Sequence, residues 1–199
     1  MSERFSRFNQ NISRVDALVT LYGQKKGGAT RPSVVEADIL RAAVVFLHSA
    51  LEDYLRGVIS SRLAESKDKS VLDKIALKGS EHRAEKFLLG ALVDFSDISV
   101  SELITDSVHQ YMSKVSFNDI NDICNWVKTI NLNIEGFQEH ESISKMIARR
   151  HKIVHEADMN EAHGYGYHRA SSISVPIVTA WKEAVVNLVK IIDGQLNAS

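Results

Sequence analysis

Apolar residues recur at three- and four-residue intervals along nearly the whole chain, and only two prolines interrupt its 199 residues. That spacing predicts an all-α protein. Ile12, Val15, Leu18 and Val19 predict a first helix over Asn9 to Tyr22, with Gly23 as its stop. A polar loop over Gln24 to Arg31 follows; its glycines and lysines do not match the order of a phosphate-cradling loop. Ser33 and Glu36 form a capping box at the start of a long helix, about 33–64. Leu40, Val44, Leu47, Leu51, Tyr54, Leu55 and Val58 line its inner face. Arg41, His48, Glu52 and Arg56 fall on one flank of it, which reads either as a solvated charged edge or as the place where Glu52 meets a cation from another helix.

Inserted helices are expected over about 66–115. Ser66 to Lys78 is weakly helical, and Ser80 caps a helix over Glu81 to Phe95 that packs Ala84, Phe87, Leu88, Ala91 and Leu92 inward. Ser99 with Glu102 starts another that runs to Val115, and Asn118 caps one carrying Ile120, Ile123, Cys124, Val127 and Ile130. A motif-bearing helix is expected over about 139–158. The final helix, about 174–195, is capped by Ser174, holds Pro176 in its first turn, and turns Ile177, Trp181, Ala184, Val185, Leu188, Val189 and Ile192 inward. The pattern contains no internal repeat, and the prediction is a single domain over 1–199.

The motif helix contains a misfit. At about 100° per residue, Ile143, Met146, Ile147, Val154 and Ala157 gather on one side, and Arg150 falls in the middle of that stripe. His151, His155 and Asp158 line its flank, while Arg149, Lys152 and Glu156 point to water. An arginine aimed into an apolar stripe is costly unless an anion or a partner receives it.

Composition narrows the chemistry. With 44% hydrophobic residues the chain is long enough to bury a core without disulfides or metals. One cysteine excludes an internal disulfide framework, and Met1-Ser-Glu-Arg-Phe carries no apolar leader, so a reducing, cytoplasmic setting is expected. The nearest thing to a membrane segment, Ala42 to Leu47, ends at His48, so no membrane partner is expected. A net charge of −1 argues against non-specific polyanion binding; a polyanion would have to meet a local basic patch. The connection over 159–172 is long, and its Tyr165, Tyr167 and Arg169 could stack on bases or simply pack.

Three readings of the motif helix compete. His151 and His155, four apart, have the spacing for gripping a metal, but Lys152 occupies the place of a zincin's glutamate and no third ligand is evident, so no metal or other cofactor is expected. In the second, Arg150 is a buried ion-pair arginine and the histidines are helix decoration. The third is metal-free phosphodiester chemistry on RNA, which needs a proton acceptor, a proton donor and a fixed cation at the phosphate. Histidine suits the proton transfers and arginine the phosphate oxygens. One helix does not supply both proton-transfer groups in place; two copies about a two-fold axis would.

Arg150-His151-Lys152-Ile153-Val154-His155 resembles the signature of the HEPN superfamily: arginine, a polar residue, three more, then histidine. The following Glu156-Ala157-Asp158, together with Leu51-Glu52-Asp53-Tyr54 on the long helix, is similar to the RiboL-PSP-HEPN branch. The resemblance implies an HEPN-like helical bundle that dimerises. It also implies a metal-independent endoribonuclease of toxin or anti-phage defence type, with a composite Arg/His site and an antitoxin or defence-system partner protein. By the same analogy Arg150 and His155 are catalytic, His151 is the polar second position, and Glu52 orients the arginine. Arg149, Lys152, Tyr165, Tyr167 and Arg169 are then candidate RNA contacts. Some family toxins carry a modifiable tyrosine two residues after the motif histidine; here that residue is Ala157, so such regulation is not implied. The alternative is a catalytically silent HEPN module that binds RNA or a partner protein.

Overall fold

A computed structural model describes residues 2–25, 33–79, 89–159 and 170–198. Among them are seven α-helices and one 3-10 helix, and the chain is all-α as its pattern predicts. The α-helices are α1 (Glu3–Lys25), α2 (Val34–Ala64), α3 (Lys69–Leu72), α4 (Val100–Lys114), α5 (Ile120–Thr129), α6 (His140–His155) and α7 (Val175–Ala198); the 3-10 helix, η1, spans Leu89–Phe95.

α2 is the central element. Its capping box is formed as the sequence predicts: Ser33 Oγ accepts from the Glu36 N–H, and the Glu36 carboxylate accepts from the Ser33 N–H. Leu40, Val44, Leu47, Leu51, Leu55 and Ile59 are fully buried. α1 lies antiparallel on α2: Arg7 pairs with Asp53, Phe8 packs on Tyr54, and Arg14 stacks on Phe46. Gly57 admits this approach, because a Cβ there would meet the Arg4 side chain at 3.2 Å. α7 joins α1 through Lys182–Asp16 at one end and Ser2–Asp193 at the other, and joins α6 through Asn187–Glu139. α1, α2, α6 and α7 thus form a bundle, and α4 and α5 pack beside α2 and α6.

Several local expectations shift. Gly23 does not stop α1, which continues to Lys25. In the weakly helical 66–78 stretch Asp68 caps the four-residue α3, and Asp119, not Asn118, caps α5; in both the aspartate side chain accepts the N–H two residues on. Residues 80–88, the start of the expected Glu81–Phe95 helix, lie outside the described residues; its end is η1, with Leu89 and Val93 exposed and Leu92 half-buried. In α7 the core position is Val178, and Ile177 is exposed. Cys124, on the apolar face of α5, is half-buried.

The largest correction is at the motif helix. α6 ends at His155, not at 158, because Ala157 and Asp158 take left-handed φ values of 48° and 57°. The Glu156 and Asp158 N–H groups both turn back to the Lys152 carbonyl and close the last turn. Val154 and Ala157, expected inward, are exposed, and Ile153 is half-buried instead. Over its last turns the inward face of α6 has swung from the Ile143–Ile147 line towards Arg149 and Ile153.

Candidate functional site

Asp158 follows from that early helix end. The reversal carries its carboxylate into the groove between α2 and α6, where it is fully buried. Arg41 Nε donates to Asp158 Oδ2 at 2.6 Å and Arg149 Nη2 donates to the same oxygen at 2.8 Å. Arg149 Nε lies 2.8 Å from Oδ1, an ion pair without hydrogen-bond alignment. Both guanidinium groups also donate to the Ser171 carbonyl, and Arg149 to that of Ser172. Arg149 therefore does not point to water: its side chain is only 18% exposed and clasps the chain leaving the motif helix. Its candidacy as an RNA contact gives way to this structural role. Nor is the flank of α2 a solvated edge, since Arg41 and His48 are buried. Their spacing with Val44, Leu51 and Leu55 on one helix face was a sequence signal for this; the pairing of Arg41 with Asp158 had none.

One turn further along α2, His48 and Glu52 grip the peptide of Phe117 in the α4–α5 connection. His48 Nε2 lies 3.1 Å from the Phe117 carbonyl, and Glu52 Oε1 accepts the Phe117 N–H at 3.3 Å. A carbonyl can only accept, so Nε2 carries the His48 proton. Burial pushes the imidazole below its ordinary value of 6.5; the Arg150 charge acts in the same direction, and Glu52 and the Phe117 carbonyl pull partly back. Arg56 extends the cluster: it lies over the Phe117 ring and donates to the Met112 carbonyl in the last turn of α4, which also accepts the Val115 N–H.

Arg150 reaches this cluster from α6. It is half-buried, its Nε is buried without a hydrogen-bond partner, and it makes no ion pair among the described residues. Glu52 is engaged with Phe117 and, at 4.0 Å, with Arg56, and not with Arg150; its Oε2 faces His48 Nδ1 at 3.5 Å. His151 and His155 are exposed beside it, their ring centroids 4.6 Å apart, and Lys152 is exposed. Tyr165, Tyr167 and Arg169 lie outside the described residues. Arg150, Val154, His151 and His155 thus occupy one continuous arc of α6, with His48 and Glu52 behind the arginine. A cleft of about 450 Å³ opens nearby, lined by Val34, Ala42, Val45, Ile153 and Ala157 among others.

What the fold and this arc define is an all-helical domain that displays an arginine and two histidines on the last turns of one bundle helix, with an acidic residue of the central helix close behind. A family model for RiboL-PSP-HEPN proteins matches residues 9–198, and the chain belongs to that family of the HEPN superfamily. No curated protein and no solved structure matches it. The family points to an RNase-type or RNA-binding function. No helix among the described residues is long and apolar enough to cross a membrane.

Proposed function

We propose that the protein is a metal-independent endoribonuclease of toxin or anti-phage defence type that works as a homodimer. The observation that carries this reading is Arg150: a half-buried guanidinium with no counter-charge among the described residues, beside two exposed histidines. A permanent cation left open at a surface is a receptor for an anion, and its planar fork fits two oxygens of one phosphate.

In the proposed reaction a histidine, His155 in one copy, takes the proton of the 2′-hydroxyl. The O2′–P bond forms, the P–O5′ bond breaks, and a second proton-transfer group gives O5′ its proton. Arg150 stabilises the charge that builds on the phosphate oxygens in between. His151 is the polar second position, and Lys152 is the remaining basic RNA contact on α6. The products are a 2′,3′-cyclic phosphate and a 5′-hydroxyl. The second proton-transfer group comes from the other copy, whose α6 arc faces the first across a two-fold axis. Exposed Val154 on that arc, with exposed Val34 and Val35 at the start of α2, supports burial against a second copy. An antitoxin or other defence-system protein would restrain such an activity.

The test is incubation of the purified protein with total RNA in EDTA, with end-group analysis of the products. Cleavage that leaves cyclic phosphates and vanishes in His155→Ala supports the enzyme. Tight RNA binding with no cleavage would replace it with a silent binding module.

A further inference from the structure

His48 is fully buried, and the cleavage scheme above makes no use of it. Its Nε2–H is committed to the Phe117 carbonyl at 3.1 Å, which leaves Nδ1 as a lone-pair acceptor. That nitrogen faces Glu52 Oε2 at 3.5 Å and has no hydrogen-bond partner. Two acceptors facing each other in a buried setting require a donor between or beside them, since an unsatisfied buried acceptor destabilises the fold. The helix packed against α2 offers one: Arg150 Nε on α6 is a buried N–H without an acceptor, and the arginine's charge opposes protonation of the imidazole.

We propose that His48 is the positioning residue for Arg150, accepting the Arg150 guanidinium on Nδ1, directly or through one ordered water, when the arginine takes up phosphate. Glu52, occupied by the Phe117 N–H and by Arg56, supplies the negative field, and His48 fixes the direction of the fork. The neutral imidazole suits this task. A protonated ring would turn Nδ1 into a donor to Glu52 and leave Arg150 unheld. The groups bearing on the imidazole are Glu52 of α2, Arg150 of α6, and the Phe117 peptide between α4 and α5; Arg56 of α2 lies 4.0 Å from Glu52. Only the kinetic consequence rests on the ribonuclease reading.

The experiment is side-chain nitrogen NMR of the full-length protein labelled at histidine, at pH 7.5, with and without inorganic phosphate. The expected result, with phosphate present, is an unprotonated, hydrogen-bonded Nδ1 on His48 whose resonance moves towards the free-acceptor position when phosphate is removed and in Arg150→Met. Arg150→Lys, which keeps the charge but loses Nε–H, should move it the same way, so a field effect alone is distinguished from a lost bond. A doubly protonated His48 would overturn the proposal, and so would an Nδ1 resonance indifferent to both variants. His48→Gln retains an N–H for Phe117 but moves the remaining acceptor, its amide oxygen, off the position that Nδ1 occupies. It should lower kcat for RNA on the order of tenfold to a hundredfold with little change in KM, and add nothing to Arg150→Lys. If the wild type cleaves no RNA, the ribonuclease reading fails while the NMR result still decides the pairing.

Discussion

Replacing Asp158 by Asn should unfold the protein far more readily than a surface change would. Asn tolerates the left-handed φ of 57° about as well as Asp does, so the substitution removes charge and leaves the turn. What remains is Arg41, buried, and Arg149, mostly buried, with their shared anion gone. Arg41 keeps Asp38, which is exposed, and the Ser171 carbonyl; Arg149 keeps the carbonyls of Ser171 and Ser172. Two charge-assisted hydrogen bonds, at about 1.5–3 kcal/mol each, give about 3–6 kcal/mol. Measured removals of one partner from buried ion pairs give about 3–5 kcal/mol. The two estimates agree on a loss near 4 kcal/mol, a large share of a typical 5–15 kcal/mol total. At this chain length it corresponds to a fall in Tm on the order of 10 °C. Urea titration followed by far-UV circular dichroism and by Trp126 and Trp181 fluorescence measures it. A loss below about 1 kcal/mol would refute the clasp as a stabilising unit.

Ala157→Gly should raise stability by about 0.5–1 kcal/mol, because φ of 48° strains a Cβ and not a glycine; a lower urea midpoint would contradict this. His48 should make stability depend on pH. Its folded pKa lies below the unfolded 6.5, so as pH falls below 6.5 the unfolded chain binds a proton that the fold refuses, and stability drops by up to about 1.4 kcal/mol per unit. The slope difference between wild type and His48→Gln isolates this residue from the other histidines. Arg150→Lys and His155→Ala should each cost on the order of 10²-fold or more in RNA cleavage, with the double variant little worse than either; near-normal cleavage by Arg150→Lys would make the arginine structural. Sedimentation should give a dimer at micromolar concentration, and a stable monomer that still cleaves RNA would rule out the composite site.

The sequence by itself determined the class and the frame. Apolar spacing at three and four residues, the Ser33–Glu36 and Ser99–Glu102 boxes and Pro176 are local signals, and local geometry obeys them in the structure. Arg150, His151 and His155 were legible because they stand six residues end to end on one helix. Tertiary structure decided what could not be local. Whether Arg149 meets water or an anion depends on where α6 stops, and that depends on a carboxylate at 158 finding Arg41, 117 positions away in the chain. A charged residue at helical spacing has no sequence mark for such a partner. The outward turn of Val154 and the engagement of Glu52 with Phe117 were settled the same way. Once α4 and α5 filled the side of α2, the Phe117 peptide needed a donor and an acceptor, and His48 and Glu52 were the groups in reach.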